Sequence, residues 1–364
     1  MARRRKIITL TLTQRCNLHC SYCFEANKSL KRMDFETAKK IMDEALNDDR
    51  FEEYEIDFFG GEPFLEFELI KKVLAYVVEN FPHKLLLFTA TTNGTLVHDE
   101  IQEWLKSRTK FFKVALSLDG NKLMHDINRC NSFDAIDLNF FKTYYPDQQM
   151  KMTISAETLP YLSDGIIFMH EKGLAFSSNL AYDIDWSNPK NKEILERELM
   201  KLIDYYLAHP EITPCELLNM QIYWVAMYNN EPFRQCGAGN EMFSYDVDGK
   251  AYPCQFFMPL SIGEEKAAKA VGLEFPDKID RSNFHGECKD CMAIRVCHTC
   301  YGSNFASTGD IFCKDSNWCK LQKIIFKANA YLKMKMIENG TFKAPKGEKY
   351  YWAKSIKMLL NDFE

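Results

Sequence analysis

A chain of 364 residues exceeds one average domain, and a hydrophobic fraction of 46% is ample for a large core. Its 46 basic and 51 acidic residues leave a net charge of -5, which excludes a general binder of polyanions such as nucleic acid. No run approaches the roughly 18 apolar residues of a membrane span, and the basic start lacks a signal-peptide core, so a cytoplasmic protein is expected.

From Lys6 to about residue 210 short apolar runs alternate with longer helical periods. Predicted strands are Ile7 to Thr13, Tyr54 to Phe59, Leu85 to Thr92, Phe111 to Leu118, Met150 to Ala156 and Ala175 to Tyr182. Predicted helices are Asp34 to Asn47, opening on an N-cap Asp, then Phe67 to Asn80, His98 to Lys106, Phe133 to Tyr144, Pro160 to Lys172 and Pro189 to Ala208. Repeated strand–helix units imply a parallel α/β layer that curls into a partial (β/α)6 TIM-like barrel. In such folds function gathers in the loops after the strands.

Composition changes near Cys215. Short strand-like pieces, Met242 to Asp246 and Lys250 to Tyr252, flank Asp248-Gly249, and cysteines become dense. Lys320 to Ile337 reads as helix, and the last 45 residues carry ten lysines against four acidic residues. That charge reads as a solvated helix face, with a docking surface for an acidic peptide as the alternative. The expected segments are 1–210 for the barrel, 211–325 for the cysteine-rich part and 326–364 for a basic helical tail. No Gly/Ser-rich linker separates the first two.

Of 13 cysteines, three lie within Cys16 to Cys23, eight between Cys236 and Cys319, and Cys130 and Cys215 stand apart. In a reducing compartment such clusters read as metal ligands or reactive thiols. The spacing Cys16-x-x-x-Cys20-x-x-Cys23 falls directly after the first strand. Its thiolates suit a soft metal or an iron–sulfur cluster, and three of them leave one cluster iron without a protein ligand. Zinc would need a fourth ligand, and His19 lies inside the motif rather than at a usual flanking spacing. Cys130 is expected to be a buried apolar residue.

Other strand ends carry turn-like loops at the same rim. After the second strand comes Gly60-Gly61-Glu62-Pro63, where paired glycines permit close backbone approach to a ligand and Glu62 offers a carboxylate to an amine. After the third comes Asn93-Gly94, and after the fourth Ser117 to Gly120, followed by a loop from His125 to Arg129.

The cysteine motif, with Tyr22 before its last thiol, and Gly60-Gly61-Glu62-Pro63 resemble the radical S-adenosylmethionine superfamily. In that family the three cysteines hold a [4Fe–4S] cluster whose open iron is chelated by S-adenosylmethionine, and reductive cleavage yields a 5′-deoxyadenosyl radical. The resemblance implies that Gly60, Gly61 and Glu62 meet the methionine amino group, Ser117 the ribose and Arg129 the methionine carboxylate. It puts Tyr22 near the adenine and Asn93 among the cofactor-binding residues.

Cys236, Gly249 and Cys254, followed by Cys288-x-x-Cys291-x5-Cys297 and Asp315-x-x-x-Cys319, resemble the SPASM extension found on many members. Read alone, these cysteines divide equally between a zinc ribbon and iron–sulfur sites. The resemblance implies two auxiliary [4Fe–4S] clusters: an outer one on Cys288, Cys291, Cys297 and Cys319, and an inner one on Cys236, Cys254 and Cys300. Cys297 and Cys300 are separated by two residues where the family usually has three. For the fourth inner ligand Cys215, Cys313 and an open iron site are the options, and the open site is the expectation.

Members with this extension mostly modify peptides. The resemblance therefore implies an oxidoreductase that matures a ribosomally made precursor peptide by an oxidative crosslink, thioether or carbon–carbon. Any leader-peptide recognition is expected to use another surface of this chain or a separate leader-peptide-binding protein, and an electron donor such as flavodoxin or ferredoxin is the expected redox partner. A sulfatase-maturing Cys/Ser oxidase ranks behind because Gln255 stands where that branch carries an aspartate base after the cysteine matching Cys254. Peptide epimerisation is a further alternative. A non-catalytic iron–sulfur carrier or peptide-binding module would need neither Glu62 nor Arg129.

Overall fold

The computed structural model describes residues 4–227, 231–234, 236–297 and 299–361. The expected strands form as β1 (Arg5–Thr13), β2 (Glu53–Gly60), β3 (Leu85–Thr92), β4 (Phe112–Leu116), β5 (Met150–Ile154) and β6 (Phe176–Leu180). Between them run α1 (Phe35–Ala45), α2 (Phe67–Asn80), α3 (Asp99–Lys106), α4 (Lys122–Asn128), α5 (Leu138–Tyr144) and α6 (Leu162–Glu171), with α7 (Lys190–Ala208) after β6.

Strands β1 to β4 are parallel neighbours in sequence order, and the parallel bridge Ser117 to Lys151 carries that order to β5, which pairs with β6. The fold is mixed α/β with a mostly parallel sheet, as expected. Alternation decides which face is covered: on β2, Tyr54, Ile56 and Phe58 are buried and the intervening residues are not. Phe58, Phe88 and Phe112, one from each of three adjacent strands, stack at 5.8 to 6.4 Å and bury their rings completely or nearly so. Burial of each such ring stabilises by about 1.5–3 kcal/mol. Ile70, Val73 and Val77 of α2 are buried on one helical face.

Three local features depart from expectation. The helix over Phe133 to Tyr144 is interrupted, because Ile136 is extended and Asp137 restarts the helix by accepting from the Phe140 N–H at 3.1 Å. The loop from His125 to Arg129 is largely α4, whose start is capped by Asn121 Oδ1 on the Met124 N–H at 3.1 Å. It ends on Cys130 and Asn131, both left-handed at φ 57° and 55°.

The third departure reshapes the sheet. The hairpin β7 (Met242–Tyr245) and β8 (Ala251–Tyr252) forms around Asp248-Gly249 as expected. However, β7 pairs in parallel with β1, giving the order β4-β3-β2-β1-β7-β8. The strand that leads into Cys16 is therefore internal.

The remaining helices are α8 (Trp224–Met227), α9 (Pro259–Ala270), α10 (Tyr301–Thr308), α11 (Ser316–Glu338) and α12 (Lys349–Asn361). Among the described residues no helix is long and apolar enough to cross a membrane.

The chain forms two compact units. The first comprises Met1–Leu118, His125–Lys151 and Cys236–Asp277; the second comprises Asp119–Met124, Met152–Gln235 and Lys278–Glu364. These units follow packing and are discontinuous, whereas the segments 1–210, 211–325 and 326–364 follow motif content.

Candidate functional site

In the first unit, Cys16, Cys20 and Cys23 lie in the loop that leaves β1. That loop is held by backbone contacts to the end of β2: the Gly61 N–H donates to the Thr13 carbonyl and the Glu62 N–H to the Arg15 carbonyl, both at 2.9 Å. The glycines make this possible. A Cβ at Gly60, where φ is +139°, would sit 2.3 Å from the Thr13 oxygen, and one at Gly61 would sit 2.1 Å from the Arg15 oxygen. The space that both residues leave is thus filled by the cysteine loop itself.

Each thiol faces its own nitrogen donor. Asn93 Nδ2 lies 4.0 Å from Cys16 Sγ, Arg129 Nη1 3.9 Å from Cys20 Sγ, and Lys28 Nζ 3.3 Å from Cys23 Sγ. The Leu18 N–H also donates to Cys16 Sγ at 3.4 Å. Burial raises the Cys16 thiol above its ordinary pKa, opposed by the Leu18 N–H and the Lys28 charge. Donors converging on sulfur in this way stabilise thiolates, the state a metal or cluster requires.

Glu62 is 1% exposed, and its carboxylate accepts from the Thr92 hydroxyl at 2.8 Å, the Asn93 N–H at 2.9 Å and the Phe64 N–H at 3.2 Å. Burial nevertheless pushes its pKa up to about 7, with those hydrogen bonds and the Arg129 charge pulling it down. Glu62 ties the β3 end to the β2 end, and its oxygens keep room for a further donor. Asn93 in turn donates to Asn17 Oδ1 at 2.9 Å and accepts from the Thr95 N–H and hydroxyl, while Asn17 donates to Thr95 Oγ1 at 2.7 Å.

The Arg129 guanidinium lies 5.3 Å from the centroid of the Tyr22 ring. The structure thus brings Cys16, Cys20, Cys23, Tyr22, Glu62, Asn93 and Arg129 together, with Gly60 and Gly61 behind the loop. Ser117 is buried at the end of β4, its N–H donating to the Thr92 carbonyl at 2.8 Å.

Cys130 corrects the expectation of a buried apolar thiol. It is exposed, because the left-handed end of α4 turns it outward, and its Sγ donates to the His19 carbonyl at 3.1 Å.

Sequence reasoning did not reach Lys28, Asn17 or Glu25. Glu25 is 5% exposed and burial pushes it up to about 8, with Lys28 opposing. The neighbouring Phe24 stacks at 4.2 Å on Phe256, just after Cys254. Asn17 occupies an unspecified position inside the cysteine motif, and Lys28 and Glu25 belong to no motif; only closeness in sequence to the cysteines could have drawn attention to them.

In the second unit Cys288, Cys291, Cys297 and Cys319 line one cavity of about 590 Å3, together with Lys314, Lys323, Gln322 and Phe326. Cys288 closes a tight turn, and Cys319 sits in the first turns of α11, which Asp315 caps by accepting from the Asn317 and Trp318 N–H groups at 3.0 Å. The spacing Asp315-x-x-x-Cys319 is thus a helix cap followed by a thiol one turn later. Burial pushes the Cys291 and Cys319 thiols up to about 11, each raised further by Cys297.

Lys314 Nζ approaches Cys297 Sγ at 3.3 Å, and Gln322, 3% exposed, carries a buried Nε2 that meets no acceptor. Four thiols, an orphaned amide donor and two lysines suit a sulfur-rich anionic group. Among the described residues no three His, Cys, Asp or Glu side chains converge on a single-ion position.

The other cysteines distribute as follows. Cys236 is exposed and Cys254 buried, in segments of the first unit joined by the Gly239 N–H on the Pro253 carbonyl at 3.1 Å. Cys300, in the second unit, caps α10, its Sγ accepting from the Ser303 N–H at 3.5 Å. Cys215 is buried, its N–H donating to the Tyr206 hydroxyl at 2.9 Å. Cys313 lies near Cys288, which feels its charge.

Residues 6–126 match the family model of a 4Fe-4S single cluster domain. Protein MJ0907 of Methanocaldococcus jannaschii is 33% identical over 197 residues, covering 52% of this chain and 65% of its own length. The cysteine-type anaerobic sulfatase-maturating enzyme of Clostridium novyi is 24% identical over 86% of this chain and 92% of its own. The radical SAM cyclopropyl synthase TigE of Paramaledivibacter caminithermalis is 22% identical over 88% and 73%. A solved structure of native anSMEcpe with bound AdoMet shares the fold, with a TM-score of 0.70 at 20% identity over 93% of this chain and all of that one.

The chain is similar to radical S-adenosylmethionine enzymes along most of its length. A radical S-adenosylmethionine enzyme has a [4Fe–4S] cluster and S-adenosylmethionine as cofactors, and the three donor-matched thiols of the β1 loop fit that requirement chemically.

Proposed function

We propose that this enzyme oxidises a ribosomally made precursor peptide and closes a crosslink in it. Cys16, Cys20 and Cys23 would hold the cluster that cleaves the cofactor. When bound, that cofactor pair supplies a 5′-deoxyadenosyl radical able to take a hydrogen atom from the peptide. Arg129 would pair with the methionine carboxylate, Glu62 would take a proton-bearing nitrogen on its remaining acceptor site, and Tyr22 would pack near the adenine. Gly60 and Gly61 would seat the thiol loop, with Ser117 and Asn93 completing the cradle.

The observation that carries the oxidative reading is the four-thiol cavity of the second unit. A crosslink removes one hydrogen atom to the radical and then one proton and one electron. An auxiliary cluster on Cys288, Cys291, Cys297 and Cys319 would be the acceptor for that electron. Cys236, Cys254 and Cys300 would hold a second auxiliary cluster, with an open iron or Cys215 or Cys313 as its fourth position. Flavodoxin or ferredoxin would reduce the first cluster, and a separate protein would present the leader peptide.

A second reading is favoured by the similarity to the Clostridium novyi enzyme along most of both chains: oxidation of a Cys or Ser side chain in a sulfatase. Gln255 stands against it as a base, since an amide accepts no proton at working pH.

The test is a pair of variants in the reconstituted, reduced enzyme. Cys16→Ala/Cys20→Ala/Cys23→Ala abolishes 5′-deoxyadenosine formation and keeps auxiliary iron. Cys288→Ala/Cys319→Ala keeps 5′-deoxyadenosine and loses the two-hydrogen mass decrease of a coexpressed precursor peptide. Cofactor cleavage by the first variant would overturn the site; a peptide product of unchanged mass would overturn the crosslink.

A further inference from the structure

A second pocket of the second unit, about 490 Å3, is lined by Tyr182, Glu216, Gln221, Trp224, Arg295 and Thr299 among others. No cysteine lines it. Its centre of charge is Arg295, whose guanidinium carbon lies 4.0 Å from the centroid of the Trp224 ring. Arg295 Nη1 is buried and meets no acceptor. Among the described residues no ion pair joins Arg295 to Glu216, which is exposed.

Stacking on an aromatic face satisfies the plane of a guanidinium and leaves the donors on its edge for a planar acceptor. A buried cationic nitrogen without an acceptor carries its full desolvation cost. The pocket has room for a side chain and its flanking backbone. Gln221, Thr299 and Tyr182 add neutral hydrogen-bonding groups around the charge, of the kind that hold a peptide's own amides. Glu216 adds one negative charge at the same pocket, which selects for a ligand whose anion reaches past it to the guanidinium.

We propose that this pocket binds a carboxylate of the peptide substrate, held edge-on by Arg295 while Trp224 fixes the guanidinium plane. The assignment rests on the reading that the substrate is a peptide. The carboxylate belongs either to an Asp or Glu side chain or to the peptide's C-terminus, and the two share one recognition chemistry.

The experiment exposes the reconstituted holoenzyme to arrays of short peptides of randomised sequence, printed in parallel with free and with amidated C-termini. Wild type is expected to retain acidic peptides about tenfold over their Asn and Gln counterparts, as befits charge-assisted hydrogen bonds. If the C-terminus is the ligand, the free-end array is favoured by the same factor and the side-chain preference vanishes. Arg295→Met should erase either preference at unchanged iron content, Arg295→Lys should keep part of it, and Glu216→Gln should strengthen it.

Retention without a carboxylate preference, or a preference that survives Arg295→Met, overturns the pocket assignment while leaving the peptide reading intact. Failure to retain any peptide overturns the peptide reading and the assignment with it. Should Arg295→Met lose iron, Glu216→Gln decides: an unaltered preference in that variant counts against the pocket.

Discussion

The two cysteine sets of this enzyme are built by opposite means. In the β1 loop the thiols are placed by backbone: two glycines admit Thr13 and Arg15 to within a distance no side chain would tolerate, and each sulfur has its own nitrogen donor. In the second unit the four thiols come from turns and a capped helix around a cavity, with Lys314 on one sulfur and an unpaired amide on its wall. If the first set leaves one iron open, as proposed, it needs each ligand fixed independently, whereas four protein ligands would orient one another through the group they share.

If placement by backbone is the essential difference, Gly61→Ala should do the greatest damage. The added Cβ meets backbone rather than a movable side chain, so the loop must shift at a cost of about 3 kcal/mol. Iron retained by a Cys288→Ala/Cys319→Ala background should then fall, while the Gly61→Ala single variant still loads its second-unit thiols. Equal iron loss at both sets would erase the distinction.

Arg129→Lys sharpens the comparison at a smaller scale. It keeps the charge beside Cys20 and discards the planar fork, so affinity for S-adenosylmethionine should weaken by about tenfold with the cluster retained. Equilibrium binding of the cofactor by calorimetry gives the answer, and an unchanged affinity would remove Arg129 from the cofactor cradle.

A third test concerns proton linkage at Glu62. Its folded pKa of about 7 lies above the ordinary 4.5, so the folded state holds this proton more tightly than the unfolded one. That contribution to stability is present below about 4.5 and is lost as pH rises toward about 7. Glu62→Gln removes it, and urea unfolding at a series of pH values between those limits should show a flatter decline. A decline as steep as that of wild type would mean that another group carries the linkage.

Much of this was legible in the residues. Short apolar runs between helical periods located the strands within a few positions, and Asp34, expected as an N-cap, accepts from the Thr37 N–H at 2.7 Å. The motif spacing identified three thiols that do converge with Arg129 and Glu62, although Arg129 is far away in sequence. Two things were not legible. The glycine pair was read as room for a ligand, yet its Cβ positions face the cysteine loop, because a motif states which residue is small and not which neighbour uses the space. Lys28, Lys314 and Arg295 were equally invisible, since single basic residues carry no periodicity and acquire meaning only from what folds beside them.

The placement of β7 beside β1 bears on how the chain is made. Residues 5–13 are synthesised well before one of their two flanking strands, which is supplied more than 200 residues later by Met242 to Tyr245. Such a long-range pairing is slow to close, and until it does β1 presents an open edge of unpaired peptide groups just ahead of its thiols. A nascent or truncated chain ending before Met242 therefore exposes a sticky strand next to three oxidisable cysteines, which ties the handling of this protein in the cell to the timing of its own translation.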